Sequence, residues 1–119
     1  GSPGMNFFDC QVDGSHAVVD GEHIPVDPTM AEAARNAGGL LQLGIRPGLI
    51  RPAGADESAL TVKVDKVEDL GDYELVTGHL GQHQVHVRLE ESEKIGSEGL
   101  RVVFPTENAL LYADDKLVG

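Results

Sequence analysis

This chain is short of several residues on which common functions depend. It has one cysteine, Cys10, so no disulfide can close within it, which suits a reducing compartment. Tryptophan is absent and only three Phe and two Tyr occur, so any core must be built mainly from aliphatic side chains. Nine basic residues face twenty acidic ones, a formal charge of -11, and no Lys/Arg run relieves it. Such a surface repels phosphate backbones and anionic headgroups, which argues against nucleic-acid and membrane-surface partners. No apolar run nears the ~18 residues that cross a bilayer, and no signal-peptide pattern opens the chain, so it reads as soluble without membrane insertion.

Catalytic signatures are missing as well. There is no Gly-x-x-x-x-Gly-Lys-Ser/Thr loop to cradle phosphates, so no ATP or Mg binding is expected of these residues. Gly-x-Ser-x-Gly, Cys-x-x-Cys and His-Glu-x-x-His do not occur, and no nucleophile stands beside a base at a telling spacing. The expectation is a chain with no catalytic, cofactor-binding or metal-binding residues of its own.

What is present is glycine, proline and alternation. Fifteen Gly and six Pro in 119 residues suit many short strands and turns, and the length suits one domain, residues 1–119. The central stretch is Leu40 to Pro47, where Leu41, Leu43 and Ile45 alternate with Gln42, Gly44 and Arg46, the period of a half-buried strand. Gly44 marks a bulge or a close backbone approach. Pro47 holds Arg46 extended at the strand end, where its guanidinium reads as a loop brace in preference to a ligand binder.

Before it, Met5 to Val12 reads as a strand, and His16 to Val19 with Glu22 to Val26 as a hairpin around Asp20-Gly21. Asp27 is placed to cap a helix opened by Pro28, running Thr29 to Ala37 and ended by Gly38-Gly39. After it, Leu60 to Leu70 is a strand whose parity slips at Asp65-Lys66, the mark of a β-bulge. Tyr73 to Leu80 and His83 to Leu89 follow around Gly81-Gln82, with Val85, Val87 and Leu89 inward and His86 outward. Glu90 to Gly99 is an acidic loop, and Leu100 to Phe104 and Ala109 to Ala113 are the last strands. The architecture expected is mainly β, a small barrel or sandwich with a short helical element.

Two clusters invite a metal reading. His79 and His83 are able to face one another across a tight turn, with His86 nearby, but no Cys or acidic ligand is interleaved, and a polar outer face is the favoured reading. Glu90, Glu91 and Glu93 lack the Asp-x-Asp-x-Asp-Gly ladder of a calcium loop and read as solvated. Cys10, in an apolar strand, reads as inert core.

The order of motifs resembles a known family. Gly1-Ser2-Pro3-Gly4-Met5-Asn6-Phe7, Leu43-Gly44-Ile45-Arg46-Pro47, Val67-Glu68-Asp69-Leu70-Gly71 and Leu110-Leu111-Tyr112-Ala113-Asp114 are similar, in that order, to landmarks of one regulatory region. It is the C-terminal TOBE (transport-associated OB) domain in ATP-binding subunits of maltose- and glycerol-phosphate-type ABC importers. Gly48 departs from the family's Glu, and Ala113 from its Phe.

The resemblance implies an OB-like barrel with an added small β/helix element, as part of a larger subunit whose ATPase domain, absent here, binds ATP and Mg. Its family-motif residues are Met5, Asn6, Phe7, Gly44, Arg46, Pro47, Glu68 and Gly71. It implies a non-catalytic regulatory and dimerisation domain, cytoplasmic at the inner face of the membrane. Its partners would be a second copy of the subunit, the ATPase domain in cis and the transporter's membrane subunits. Pairing is expected around Glu90 to Gly99 and Glu107 to Lys116. The alternative is a small-ligand sensor, since related transport-associated domains bind oxyanions such as molybdate. The abrupt Gly1-Ser2-Pro3 opening reads either as native linker or as a tag remnant.

Overall fold

The computed structural model describes residues 4–90 and 95–118. The Gly1-Ser2-Pro3 opening, together with Glu91 and Glu93 of the acidic run, lies outside the described residues. In chain order the elements are β1 (Asn6–Asp9), β2 (Gln11–Asp13), β3 (His16–Val19), β4 (Glu22–Pro25), α1 (Pro28–Ala37), β5 (Leu41–Ile45), β6 (Arg51–Pro52), β7 (Leu60–Asp69), β8 (Glu74–Leu80), β9 (His83–Leu89), β10 (Leu100–Val103), β11 (Leu110–Ala113) and β12 (Lys116–Leu117). Single 3-10 turns occupy Pro47–Leu49 and Thr106–Asn108.

The strand at the centre of the sequence is also central in space. β5 lies between β1 and β11, with Leu43 opposite Phe8 on one side and Leu111 on the other, all three fully buried. β12 extends that sheet beyond β11, and the order is β1-β5-β11-β12. A second antiparallel sheet runs β6-β10-β7-β8-β9, and β2-β3-β4 form a third. The strand expected over Met5 to Val12 is in fact two strands serving different sheets. Cys10 donates its backbone N–H to the Leu41 carbonyl at 3.1 Å, which completes the pairing with β5, and the chain then turns away to β3. The alternation of side chains continues through this corner, so period alone gave no sign of it. Cys10 therefore sits half-buried at a corner and not within a strand.

The parity slip in β7 is a bulge: Val64 pairs with Gly78 and Lys66 with Thr77, leaving Asp65 extra. Gly78 is needed there, since a Cβ on it would lie 2.2 Å from the Lys63 carbonyl oxygen. Beyond the bulge β7 is exposed along its length, an arm that β8 accompanies.

The free edge of β9 is hydrogen-bonded to β1 through the Asn6 side chain. Buried Asn6 donates from Nδ2 to the His86 carbonyl at 2.9 Å, and the His86 N–H donates to Asn6 Oδ1 at 2.8 Å. An amide side chain has the donor and acceptor of a peptide group, so Asn6 completes a strand edge as a neighbouring backbone would. The result is a curled, OB-like half-barrel, the mainly β class expected.

α1 has the expected boundaries: Asp27 accepts from the Met30 N–H at 3.0 Å, Pro28 takes the first turn, and the Gly38 N–H closes on Ala34. It buries Ala31 and Ala34 and packs on β11 and β2. Phe8, Leu43, Ile45 and Leu111 share one core with Val62, Val76, Val85, Val87, Leu89 and Phe104 and with Ala17, Val19 and Ile24. Among the described residues no helix is long and apolar enough to cross a membrane.

Candidate interaction surface

Four residues from three separate motifs meet on the outer face of the β1-β5-β11-β12 sheet. Gly44 leaves a gap there, and three side chains fill it. The Tyr112 ring edge, Met5 Sδ and the Phe7 ring edge stand 2.8, 2.9 and 3.2 Å from where a Cβ would be. Phe7 and Tyr112 meet edge to face with centroids 5.3 Å apart, and the Tyr112 hydroxyl donates to Met5 Sδ at 3.5 Å. The patch is open to solvent: Phe7 is 47% exposed, and Leu117, opposite Tyr112 on β12, is 58% exposed. The Glu107 to Lys116 segment thus supplies this face with Tyr112. Of Glu90 to Gly99, the described stretch 95–99 lies beside Lys63 and Val64.

At the end of β5 the Pro47–Leu49 turn opens a recess of about 380 Å³. Arg46, Leu49, Tyr73, Leu75, Arg88 and Glu90 line it, with Pro47 and Gly48. The Arg88 guanidinium lies over the Tyr73 ring, 3.9 Å from its centroid. Arg46 is exposed, and among the described residues its side chain makes no hydrogen bond or ion pair, so the loop-brace reading does not hold. The turn is braced by the Arg46 carbonyl instead, which accepts from the Leu49 N–H at 3.0 Å. Pro47 is buried at the recess. Glu68 and Gly71 belong to the exposed β7–β8 arm, where Lys66 stands 3.5 Å from Glu68 and the Gly71 N–H donates to Asp69.

His79 and His83 are not brought together. The two-residue turn places His79 opposite Gln84 and Leu80 opposite His83, so His79 and His83 occupy opposite faces of the hairpin. His79 Nδ1 stands 2.6 Å from Asp65, the bulge residue. His83 Nδ1 stands 2.8 Å from Asp20, and its ring meets Phe8 edge-on. His86, expected outside, is half-buried, with Nδ1 3.3 Å from Thr77 Oγ1. Among the described residues no group of three His, Cys, Asp or Glu is arranged to hold a metal.

Two groups carry perturbed ionisation near these features. Asp20 Oδ2 accepts from the Gln82 N–H at 2.9 Å, and that bond, aided by His83, holds its carboxyl below the usual range. Desolvation, then the Asp9 charge, pushes the Cys10 thiol up to about 11. Sequence reading took Asp20 only as half of a turn dipeptide, and passed over Arg88 and Tyr73, whose contact depends on the register that sets Arg88 opposite Leu75.

Comparison with known proteins bears on what this surface serves. Residues 1–48, which hold β1 through β5 and the Pro47 corner, match the model of the MalK OB fold domain family. The chain is 34% identical over 114 residues to the sn-glycerol-3-phosphate import ATP-binding protein UgpC of Paraburkholderia xenovorans, over 91% of this chain and 32% of the relative. It is 38% identical over 95 residues to the protein of the same name from Chromobacterium violaceum, over 79% of this chain and 25% of the relative. The chain thus spans a quarter to a third of the length of the curated relatives it matches. The resemblance read from the sequence is met in both fold and kind of relative.

Proposed function

We propose that this OB-type chain is the non-catalytic regulatory and dimerisation domain of the ATP-binding subunit of an ABC importer for sugars or related solutes such as sn-glycerol 3-phosphate. The observation that carries the reading is the 34% identity to an import ATP-binding protein across 91% of the chain. Supporting it, Met5, Phe7 and Gly44, which belong to two separate family landmarks, converge on one solvent-facing patch with Tyr112 from a third. A two-fold pair uses the same patch on both copies, so an exposed apolar face is suited to it. In this reading ATP hydrolysis belongs to an ATPase domain joined in cis, and the subunit works at the cytoplasmic face of the membrane with the transporter's membrane subunits.

The test begins with the gene product that carries this segment. It is expected to contain a Gly-x-x-x-x-Gly-Lys-Ser/Thr loop upstream of Met5. Its absence, or transport that continues undiminished when the segment is deleted from the intact importer, overturns the reading. Titration of the 119-residue chain with Mg-ATP is expected to give no binding isotherm.

A further inference from the structure

The protein carries five arginines, and three are tied into its own frame. Arg35 donates to the Gly14 carbonyl, Arg51 pairs with Glu57, and Arg101 donates to the Gly54 and Glu57 carbonyls. The other two, Arg46 and Arg88, both line the recess beside the Pro47 turn, and neither forms an ion pair among the described residues. For a chain of charge -11, two guanidiniums left at one concavity are an exception to the surrounding field.

Their presentation is suited to a ligand. Arg46 is held extended before a buried proline, with φ -74° and ψ 144°, which fixes where its stem leaves the backbone. The Arg88 guanidinium carbon lies 3.9 Å from the Tyr73 ring centroid, so the ring covers one side of the cation and holds it at the recess. Leu49 and Leu75 give the same recess an apolar wall. Among the described residues Glu90 is the one carboxylate of the lining; a carboxylate accepts hydrogen bonds from hydroxyls and repels a second negative charge. Two guanidinium donors, an apolar wall and one acceptor suit a small, singly headed anion whose body bears hydroxyls.

We infer that the Arg46–Arg88 recess binds a small hydroxylated anion, a polyol phosphate or a sugar acid, through its phosphate or carboxylate head. The site does not depend on the importer reading: that reading stands or falls on the upstream sequence and the deletion, whereas the recess is tested by titration of this chain.

Isotope-labelled protein is titrated with glycerol phosphate, gluconate, inorganic phosphate and glycerol, and backbone amide shifts are followed. Glycerol phosphate, gluconate or both are expected to saturate shifts at Gly48, Leu49, Leu75 and Arg88, and which of them binds names the head group. Inorganic phosphate is expected to bind more weakly and glycerol not at all. R46Q and R88Q, both at exposed positions, are each expected to weaken binding about tenfold or more, because each removes charge-assisted hydrogen bonds; R46Q leaves the melting temperature unchanged, and R88Q, which also loses the Tyr73 contact, leaves the core amide shifts in place. The inference is overturned if neither ester nor acid shifts the recess amides, if the shifts map to another part of the molecule, if glycerol binds equally well, or if both variants bind as the parent does.

Discussion

At the scale of single residues, two carboxyls are held as anions by bonds that the fold supplies. Glu57 accepts from Arg51 at 2.8 Å and from the Gly54 N–H at 3.0 Å, and these, the Arg51 bond first, hold its carboxyl down at about 2. Asp20 is lowered by the Gln82 N–H and then by His83. A carboxyl lowered by folding stabilises the native state fully above its unfolded pKa, and that contribution is lost as pH falls through the folded value. For Glu57 the window runs from about 4.5 down to about 2. Urea denaturation of Glu57→Gln is therefore expected to show a flatter pH dependence than the parent below pH 4.5, with parallel curves above it. A parent and variant that lose stability equally through that window would remove Glu57 from the account.

Gly44 and Gly78 separate what is legible at this scale from what is not. Gly44 was readable as a site of close approach, because it interrupts an alternating strand. The atoms that approach it are the ends of Tyr112, Met5 and Phe7, which can shift at an open surface. Gly78 looked like one more strand residue. Only the bulge in β7, which carries the Lys63 carbonyl to 2.2 Å from a would-be Cβ, makes it indispensable. Gly78→Ala is expected to cost about 1–3 kcal/mol or more, as overpacking a site with no room does. Gly44→Ala is expected to cost less. Urea midpoints measured side by side check the order, and the reverse order would mean that the β7 backbone yields at the bulge.

At the scale of elements, the helix and the long hairpin were legible because their signals are local. Asp27, Pro28 and Gly38 carry cap chemistry at fixed offsets, and Val85, Val87 and Leu89 alternate without interruption. The corner at Cys10 was not, because a chain that moves from one sheet to another keeps its period. β6 and β12, of two residues each, are too short for any period to register. The histidine pairing failed for a register reason: a two-residue loop sets Leu80 opposite His83, which moves His79 to the other face. The Asn6 closure was invisible too, since nothing local tells an Asn that its partner is a backbone 80 residues on. Asn6→Ala would leave the His86 N–H and carbonyl without their partner, at about 1–3 kcal/mol for each group left unpaired. Hydrogen exchange is expected to accelerate at His86 more than at Val76 on the neighbouring strand. Uniform acceleration at both would instead mark global destabilisation, with no special role for this seam.

At the scale of the whole molecule, charge and apolar surface oppose each other. A chain of formal charge -11 repels its own copy, yet its outer β1-β5-β11-β12 face exposes Phe7 and Leu117 around the Met5, Gly44 and Tyr112 cluster. Long-range repulsion is screened within about 8 Å at physiological ionic strength, whereas an apolar contact survives screening. If that face pairs two copies, association strengthens as salt rises. Sedimentation velocity at rising concentration, in low and in high salt, reads this directly. Phe7→Asp, which also removes the ring contact with Tyr112, and Leu117→Asp are both expected to abolish association, the second without lowering the melting temperature. A dimer that dissolves in salt would mean that charge pairs drive it. A dimer that survives both variants would place its contact elsewhere, and a strict monomer in both salts would leave pairing to the rest of the subunit.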